Sequence, residues 1–241
     1  MVALVSGIGF LRYSTVVHAI DDIDQLKQSS ARVSFVPPND RPSPRSTQSG
    51  ASRIELPAAC DGLPLLPRNG LGLTTQNSPS IFVYFSQGTT VAQAKLTLKS
   101  LDEAESEYYD TVVTLPQDAL AENGGVVSFE IPEVESELAL NKEYAWSLIL
   151  MCEGQLRPDS PSLSGTLKRV ERGGLTAEKL DSSLIEQAIA YGEAGIWYDL
   201  LAVLAEIRAE DESNAVSDAD WKGVMSTVGL DAIATEPVLL D

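Results

Sequence analysis

The hydrophobic pattern of this chain changes its period once, and that change constrains the fold more than any other feature. Between residues 54 and 172, apolar side chains recur at every second position, as in the run from Ala94 to Leu98. Such alternation predicts half-buried β-strands. From residue 173 onward, apolar side chains recur three or four residues apart, which predicts amphipathic helices. The chain therefore predicts an α+β fold in which the strands precede the helices.

Residues 54–172 predict an antiparallel β-sandwich of immunoglobulin or fibronectin type, with about six or seven short strands separated by turn residues. Trp146 shares a predicted strand face with Cys152, as expected of a core aromatic side chain beside a disulfide. The apolar sets of the expected strands are Ile81, Val83 and Phe85; Ala94, Leu96 and Leu98; Tyr109, Val113 and Leu115; Val127, Phe129 and Ile131; Tyr144, Trp146, Leu148 and Leu150; and Leu163–Val170.

Residues 173–241 predict a small helical C-terminal subdomain. Ser183 and Glu186 have the spacing of a capping box, and the helix that they start is expected to end at Gly195. A second helix follows from Ile196, and the pair has the residue spacing of one tetratricopeptide-type unit. A helical hairpin cannot bury its apolar stripe alone, so the pair is expected to pack on the sandwich, on a third helix or on another protein.

The third predicted helix begins after Ser217, with Asp220 helping to cap it, and ends before Gly229. The run from Asp211 to Asp220 lacks the central glycine of an EF-hand loop, so no calcium site is expected there.

The N-terminal residues predict export. Val2–Leu11 is a short apolar run of the length found in signal peptides, and Val17 and Ala19 suit cleavage after Ala19. Residues 1–19 are therefore interpreted as a signal peptide, and the alternative is an ordinary N-terminal segment of a cytosolic protein. No later run has the length and apolarity of a transmembrane helix, so an integral membrane protein is not expected.

Residues 20–53 are rich in Pro, Ser and Arg and are interpreted as an extended linker. Five basic and four acidic residues give this linker a net charge of +1, whereas the whole chain carries −18. From residue 173 onward, three basic residues face fourteen acidic ones, a net charge of −11. The linker is either simply solvated, or it is a slightly basic tether that folds back onto the acidic body or lies along an anionic surface.

The cysteine count bears on the compartment. Cys60 and Cys152 are the only cysteines, and in an oxidising compartment they are expected to form a disulfide. The alternative is two unrelated buried thiols. Two cysteines without histidine do not make a zinc site.

Composition excludes most catalytic classes. The single histidine, His18, would be lost with the signal peptide, which leaves no base to activate a Ser or Cys nucleophile. No P-loop or complete dinucleotide motif is present, and the acidic charge opposes binding to nucleic acid. We therefore expect no catalytic residue, no cofactor and no metal. Carboxylate chemistry stays open, although the acidic run from Asp102 to Glu107 is better interpreted as a solvated hairpin tip.

Three adjacent residues, Trp197, Tyr198 and Asp199, form the most distinctive local motif. Exposed aromatic side chains often anchor protein partners, so these residues are candidates for partner binding. The alternative places Trp197 in the core, Tyr198 at its rim and Asp199 beside the N-terminus of its helix.

Short motifs over most of the chain together resemble a cyanobacterial family described as a domain of unknown function, DUF928. They lie at residues 33–38, 50–60, 65–67, 72–74, 79, 82, 84, 144, 146, 152, 165, 169–170, 191–199, 204–205, 208, 221 and 228–230. The resemblance implies an exported protein with a β domain and a helical tail, and it implies no catalytic residues.

These observations favour an exported, non-enzymatic interaction or accessory protein of the cell envelope. Its expected partner is a protein of the envelope or of a secretion assembly, and its expected location is extracytoplasmic. The alternatives are a carboxylate-dependent glycan hydrolase and a purely structural envelope component.

Overall fold

Nine strands and five α-helices follow one another along the described part of the computed structural model, which comprises residues 32–38, 59–102, 108–131, 138–173, 175–210 and 215–240. The predicted signal peptide, residues 1–19, lies outside these residues, as do residues 103–107 of the acidic run. The strands are β1 (Leu63–Pro64), β2 (Leu71–Thr74), β3 (Ser80–Phe85), β4 (Val91–Ser100), β5 (Tyr108–Thr114), β6 (Gly125–Glu130), β7 (Glu143–Cys152), β8 (Ser162–Arg169) and β9 (Val238–Leu239). The helices are α1 (Gln117–Asn123), α2 (Ala177–Leu180), α3 (Leu184–Ala194), α4 (Trp197–Glu210) and α5 (Ala215–Val228).

The strands form two sheets. One has four strands in the order β1-β3-β6-β9, and the other has five in the order β2-β8-β7-β4-β5. Antiparallel pairs make up the centre of both sheets: Ile81 of β3 lies opposite Phe129 of β6, and Leu96 of β4 lies opposite Leu148 of β7. A fold that combines two sheets with helices is therefore confirmed, while the immunoglobulin or fibronectin type stays a prediction.

The prediction that all the strands are antiparallel is wrong at two sheet edges. β2 pairs parallel with β8, and β9 pairs parallel with β6. Parallel neighbours require a long crossover connection. The chain between β2 and β8 provides such a connection, because it contributes β3 and β6 to the other sheet before it returns. β9 follows the helices, which form the connection from β6. With four and two residues, β2 and β9 are too short to show a period in the sequence.

β3 departs from the expected half-buried pattern because every residue from Ile81 to Phe85 is buried. Helix α4 contacts this strand. A strand covered on both faces loses its polar alternation. β4 keeps the alternation, with Leu96 and Leu98 buried and Lys99 exposed near its end.

The helix boundaries agree closely with those predicted from the sequence. Oε2 of Glu186 accepts hydrogen bonds from the Ser183 N–H at 3.2 Å and from Ser183 Oγ at 3.0 Å, and Gly195 ends α3 in the left-handed conformation with φ of 70°. Helix α5 begins at Ala215, a little before the expected start after Ser217. Whether α3 and α4 are of tetratricopeptide type stays a prediction. In the described ranges, no helix combines the length and apolarity needed to cross a bilayer.

Strands and helices share one continuous hydrophobic core. Helix α4 lies at its centre and contacts β2, β3 and β9. Trp146, Trp197 and Trp221 are all fully buried in this core. The helices therefore bury their apolar surface within the chain, on the strands and on the third helix, and not on another protein.

A disulfide joins Cys60 to Cys152, with 5.8 Å between the Cα atoms. It fixes the chain ahead of β1 to the end of β7. The same region is held by main-chain contacts, because the carbonyl oxygen of Ala59 accepts hydrogen bonds from the N–H of Thr90 at 2.7 Å and from Oγ1 of Thr89 at 2.9 Å. The predicted pairing is confirmed, and the alternative of two unrelated thiols is wrong.

Candidate interaction site

Residues 32–38, which we call the N-terminal segment, belong to no helix or sheet and contact helices α3, α4 and α5. Its side chains alternate: Val33 and Phe35 are buried, whereas Ser34 and Val36 are exposed. Two consecutive prolines end the segment, and proline disfavours helix both at its own position and at the residue before it. The sequence thus favours an extended strand that buries one face.

The segment is held largely through its main chain. The N–H groups of Arg32 and Val33 both donate to Oδ1 of Asp220 on α5, the second at 2.9 Å. Further along, the N–H of Val36 donates to the carbonyl oxygen of Gly192 on α3 at 3.0 Å. Backbone contacts of this kind fix the position of a segment with little dependence on its sequence.

The side-chain contact of the segment is aromatic. The ring of Phe35 meets the ring of Trp197 edge to face, with 4.8 Å between the ring centroids. Trp197 is itself fixed, because its Nε1 donates to the carbonyl oxygen of Leu65 at 2.9 Å. Edge-to-face pairs stabilise by about 1 kcal/mol beyond the apolar area that they bury.

Two glycines allow the segment to approach the helices. A Cβ atom on Gly192 would overlap the carbonyl oxygen of Ser34, and a Cβ atom on Gly195 would lie 2.7 Å from the carbonyl oxygen of Val36. Gly192 lies inside a helix, where glycine costs about 1 kcal/mol relative to alanine. The close approach of the segment accounts for its presence there. We call Gly192, Gly195, Trp197 and Asp220 the cradle.

Asp220 is the charged member of the cradle, and its side chain is fully buried. The guanidinium of Arg32, which is 52% exposed, lies 3.8 Å from Oδ2 of Asp220. That oxygen has no hydrogen-bond partner within the described residues, although Oδ1 accepts the bonds from the segment. The prediction that Asp220 caps helix α5 is wrong, because Asp220 lies inside the helix and bonds to the N-terminal segment instead.

Replacing Gly192 with alanine is expected to displace the N-terminal segment while leaving helix α3 intact, since alanine favours helix but its Cβ meets the Ser34 carbonyl. Hydrogen exchange followed by mass spectrometry should show the amides of Val33 and Val36 losing their protection. The neighbouring exposed residue allows a matched control, Glu193→Ala, in which both amides stay protected. Full protection in Gly192→Ala would contradict the role assigned to the glycine.

The structure places the three predicted partner-binding residues inside the molecule, where one contacts two strands and the other two contact residues that follow strands. Trp197 bonds to Leu65 beyond β1, as described above, and the hydroxyl of Tyr198 accepts from Trp146 Nε1 at 2.8 Å and donates to the Thr166 carbonyl at 3.3 Å. Their exposed fractions are 0% for Trp197, 1% for Tyr198 and 4% for Asp199. In this fold they fix α4 to the sheets and leave no surface for direct contact with a partner. Tyr198 is in the core and not at its rim.

Asp199 binds the turn that follows β2. Its Oδ1 accepts from Oγ1 of Thr75 at 2.5 Å and from Nε2 of Gln76 at 3.4 Å, and both carboxylate oxygens lie 3.2 Å from the Thr75 N–H. Burial raises the pKa of Asp199 above its ordinary value of 3.8, against the opposing effect of these hydrogen bonds. Tyr191 lies near the same carboxylate, and its pKa is raised by burial and then by the charge of Asp199.

The raised pKa of Asp199 predicts a pH-dependent stability. Because the folded-state pKa lies above the unfolded-state pKa, the protonated carboxyl stabilises the fold below the unfolded-state value, and this contribution is lost as the pH rises through the folded-state value. The free energy of unfolding of the wild type, minus that of Asp199→Asn, should therefore increase as the pH falls from 7 towards 4, by about 1.4 kcal/mol for each unit of pKa shift.

Urea unfolding followed by tryptophan fluorescence measures this difference. The control is Asp118→Asn at an exposed position, which removes one negative charge from a chain of net charge −18 without touching a buried carboxyl. A difference that shrinks on acidification for Asp199 would show that its carboxylate is the form favoured by folding.

The described residues contain no group of three or more His, Cys, Asp or Glu side chains placed to hold a metal ion. The buried carboxylates Asp199 and Asp220 both accept bonds from main-chain N–H groups of this chain.

Sequence reasoning missed Val33, Phe35 and Asp220 as site residues. The only indication in the sequence is charge, because the linker is slightly basic and the helical part is strongly acidic. One of the two interpretations of the linker was that it folds back onto the acidic body. Alternation at Val33 and Phe35, followed by two prolines, is too short to indicate a docked strand without knowledge of its partner surface.

A family model described as Domain of Unknown Function (DUF928) matches residues 48–238. No curated protein matches the chain. Among solved structures, a family 76 glycoside hydrolase from a bovine Bacteroides thetaiotaomicron strain is similar over 48% of this chain and 21% of that chain, at 19% identity and a TM-score of 0.27. The match thus spans about a fifth of the length of that enzyme, and so low a score supports no conclusion about fold or function.

Proposed function

The chain belongs to the DUF928 family, a domain of unknown function, and we propose that it is an exported, non-enzymatic interaction protein of the cell envelope. Its partner in this proposal is another protein of the envelope or of a secretion assembly.

The disulfide supports the location. Disulfides persist in oxidising compartments and are rare in the reducing cytosol. Cys60 and Cys152 are the only cysteines of the chain, and they are paired with each other. A chain that uses both of its thiols for one cross-link is suited to folding outside the cytoplasm.

The observation that carries the interaction role is the seating of the N-terminal segment in the cradle. Three main-chain N–H groups of the segment and the ring of Phe35 are bound by helices α3, α4 and α5. This combination of backbone hydrogen bonds with a pocket for an alternate side chain is a recurring mode of peptide recognition. Helices arranged to hold an extended segment support binding by contact rather than by catalysis.

The hydrolase alternative receives less support. A glycosidase needs two carboxyl groups that flank the scissile bond, about 5 to 10 Å apart. Asp199 and Asp220 are the buried carboxylates among the described residues, and each is engaged by hydrogen bonds within the chain. A purely structural envelope component is the remaining alternative, and the following experiment separates it from the proposal.

The experiment places a photo-crosslinking amino acid at Glu193, an exposed position next to Gly192 of the cradle, in the full chain expressed in its own host. The matched control carries the same amino acid at Glu122, an exposed position in α1. We expect one discrete protein adduct from position 193, none from position 122, and recovery of the adduct outside the cytoplasm.

Cytosolic recovery, or the same adducts from both positions, would contradict the proposal. No adduct from either position, together with a weakened envelope on deletion of the gene, would instead support the structural alternative.

A further inference from the structure

We infer that the cradle is a recognition site for extended peptides, occupied in this structure by the chain's own N-terminal segment, and that the partner supplies a segment of the same chemistry. That chemistry is an extended strand with two apolar side chains two residues apart and a basic residue ahead of them, as in Arg32, Val33 and Phe35. The inference deepens the proposed function, on which it rests, by naming the site and the class of partner.

The contacts of the segment are those of a ligand. Its main chain contributes the N–H groups of Arg32, Val33 and Val36, and its buried side chains are Val33 and Phe35. Ser34 points outward and is exposed. A binding mode that uses the backbone and alternate side chains can accept different sequences with the same pattern.

The helices carry features that accommodate an occupant. Gly192 leaves room for the carbonyl oxygen of Ser34, and Gly195 leaves room for that of Val36. Oδ1 of Asp220 receives two main-chain bonds from the segment, while its fully buried Oδ2 has no hydrogen bond within the described ranges. An unsatisfied buried acceptor favours a ligand that offers a further donor.

The charge of the helical part favours a basic residue in the bound segment. Residues 173–241 carry three basic and fourteen acidic side chains, a net charge of −11, whereas the linker that contains the segment carries +1. The guanidinium of Arg32 lies 3.8 Å from the buried Asp220 carboxylate. An acidic body of this kind attracts a basic strand and repels an acidic one.

The connection to the rest of the chain is long enough for exchange. Residues 39–58, which are twenty in number, separate the segment from the disulfide-anchored start of the β part. Twenty residues can span up to about 70 Å. A tether of this length holds its own segment at an effective concentration on the order of millimolar, against which a partner has to compete. Cutting the tether removes that advantage.

The experiment inserts a recognition site for a specific protease between Arg45 and Ser46 of the full chain, and cuts it after folding. The probe is a fluorescent synthetic peptide of residues 28–40, whose binding is followed by anisotropy with cut and with uncut protein. We expect the peptide to bind the cut protein at least about tenfold more tightly than the uncut protein, because the tethered competitor is gone.

Peptide variants test the recognised chemistry. Phe35→Ala in the peptide should weaken binding at least about tenfold, since a buried aromatic contact is lost, while Ser34→Ala at the exposed position should leave binding unchanged. In the protein, Gly192→Ala should reduce peptide binding without changing the far-ultraviolet circular dichroism, which reports the helix content.

Three outcomes would overturn the inference. The first is no peptide binding by the cut protein, and the second is equal binding of the Phe35→Ala peptide. The third is loss of tertiary structure when the cut fragment leaves, because the segment would then be part of the core and not an exchangeable ligand. All three measurements are made on purified protein, so they fail or succeed independently of export and of crosslinking in the host.

Discussion

Replacing both cysteines, in Cys60→Ser with Cys152→Ser, is expected to lower the free energy of unfolding by about 4 kcal/mol. The cross-link closes a loop with a sequence separation of 92, and it limits the conformations of the unfolded chain more than those of the folded one. The variant should also show a steeper dependence on urea, because its unfolded state exposes more surface.

Equilibrium unfolding in urea measures both quantities. The wild type treated with a reducing agent is the matched control, and it should unfold at the same urea concentration as the double variant. A loss below about 1 kcal/mol would show that the native state carries little benefit from the cross-link, and it would weaken the argument that this fold is built for an oxidising compartment.

Trp197→Ala is the second change with a large expected effect, a loss of about 4 kcal/mol in the free energy of unfolding. The variant leaves a cavity at a fully buried site, removes the ring that Phe35 contacts, and leaves the carbonyl oxygen of Leu65 without its donor. Trp197→Phe keeps an aromatic ring and should lose about half as much.

The control for Trp197→Ala is Trp221→Ala, which truncates another fully buried tryptophan that makes no ring contact with Phe35. Both variants should be destabilised, but hydrogen exchange at the Val36 amide should rise more in Trp197→Ala. Equal exchange at Val36 in the two variants would mean that Trp197 supports the core without positioning the N-terminal segment.

The strands could be predicted where one face is buried and the other is solvated. Along β4, Ala94, Leu96 and Leu98 are buried with polar residues between them, so the period of two is visible in the sequence. β3 was located for its apolar content, but its burial on both faces depends on the packing of α4, which no local pattern contains. The parallel pairing of β9 with β6 likewise depends on the packing of the helices, which precede β9 and determine where it meets the sheet.

The candidate site was predicted in part, since the sequence identifies the motif at Trp197 but leaves partner binding and burial in the core as alternatives. All five residues from Trp197 to Leu201 are buried, and four of them are apolar, with Asp199 as the exception. A helical turn with apolar side chains on most of its sides is expected to be buried on those sides. That local feature favoured the core interpretation, which the structure bears out for these residues.

The hydrogen-bond partners of Asp220 could not be predicted from the sequence. An aspartate near a helix start is ordinarily a cap or a solvated side chain. Only the tertiary fold brings the N–H groups of Arg32 and Val33 to it, across more than half of the chain. The charge of the linker indicates that it can fold back, but neither spacing nor composition indicates which carboxylate it meets.

The most direct test of the proposed export and disulfide is the intact mass of the protein isolated from its own host, after thiol alkylation without reduction. We predict the mass of residues 20–241 with Cys60 and Cys152 oxidised to a disulfide and no alkyl group added. A chain that retains residues 1–19 and carries two alkylated cysteines would contradict export, and the interaction partner would then have to be sought in the cytosol.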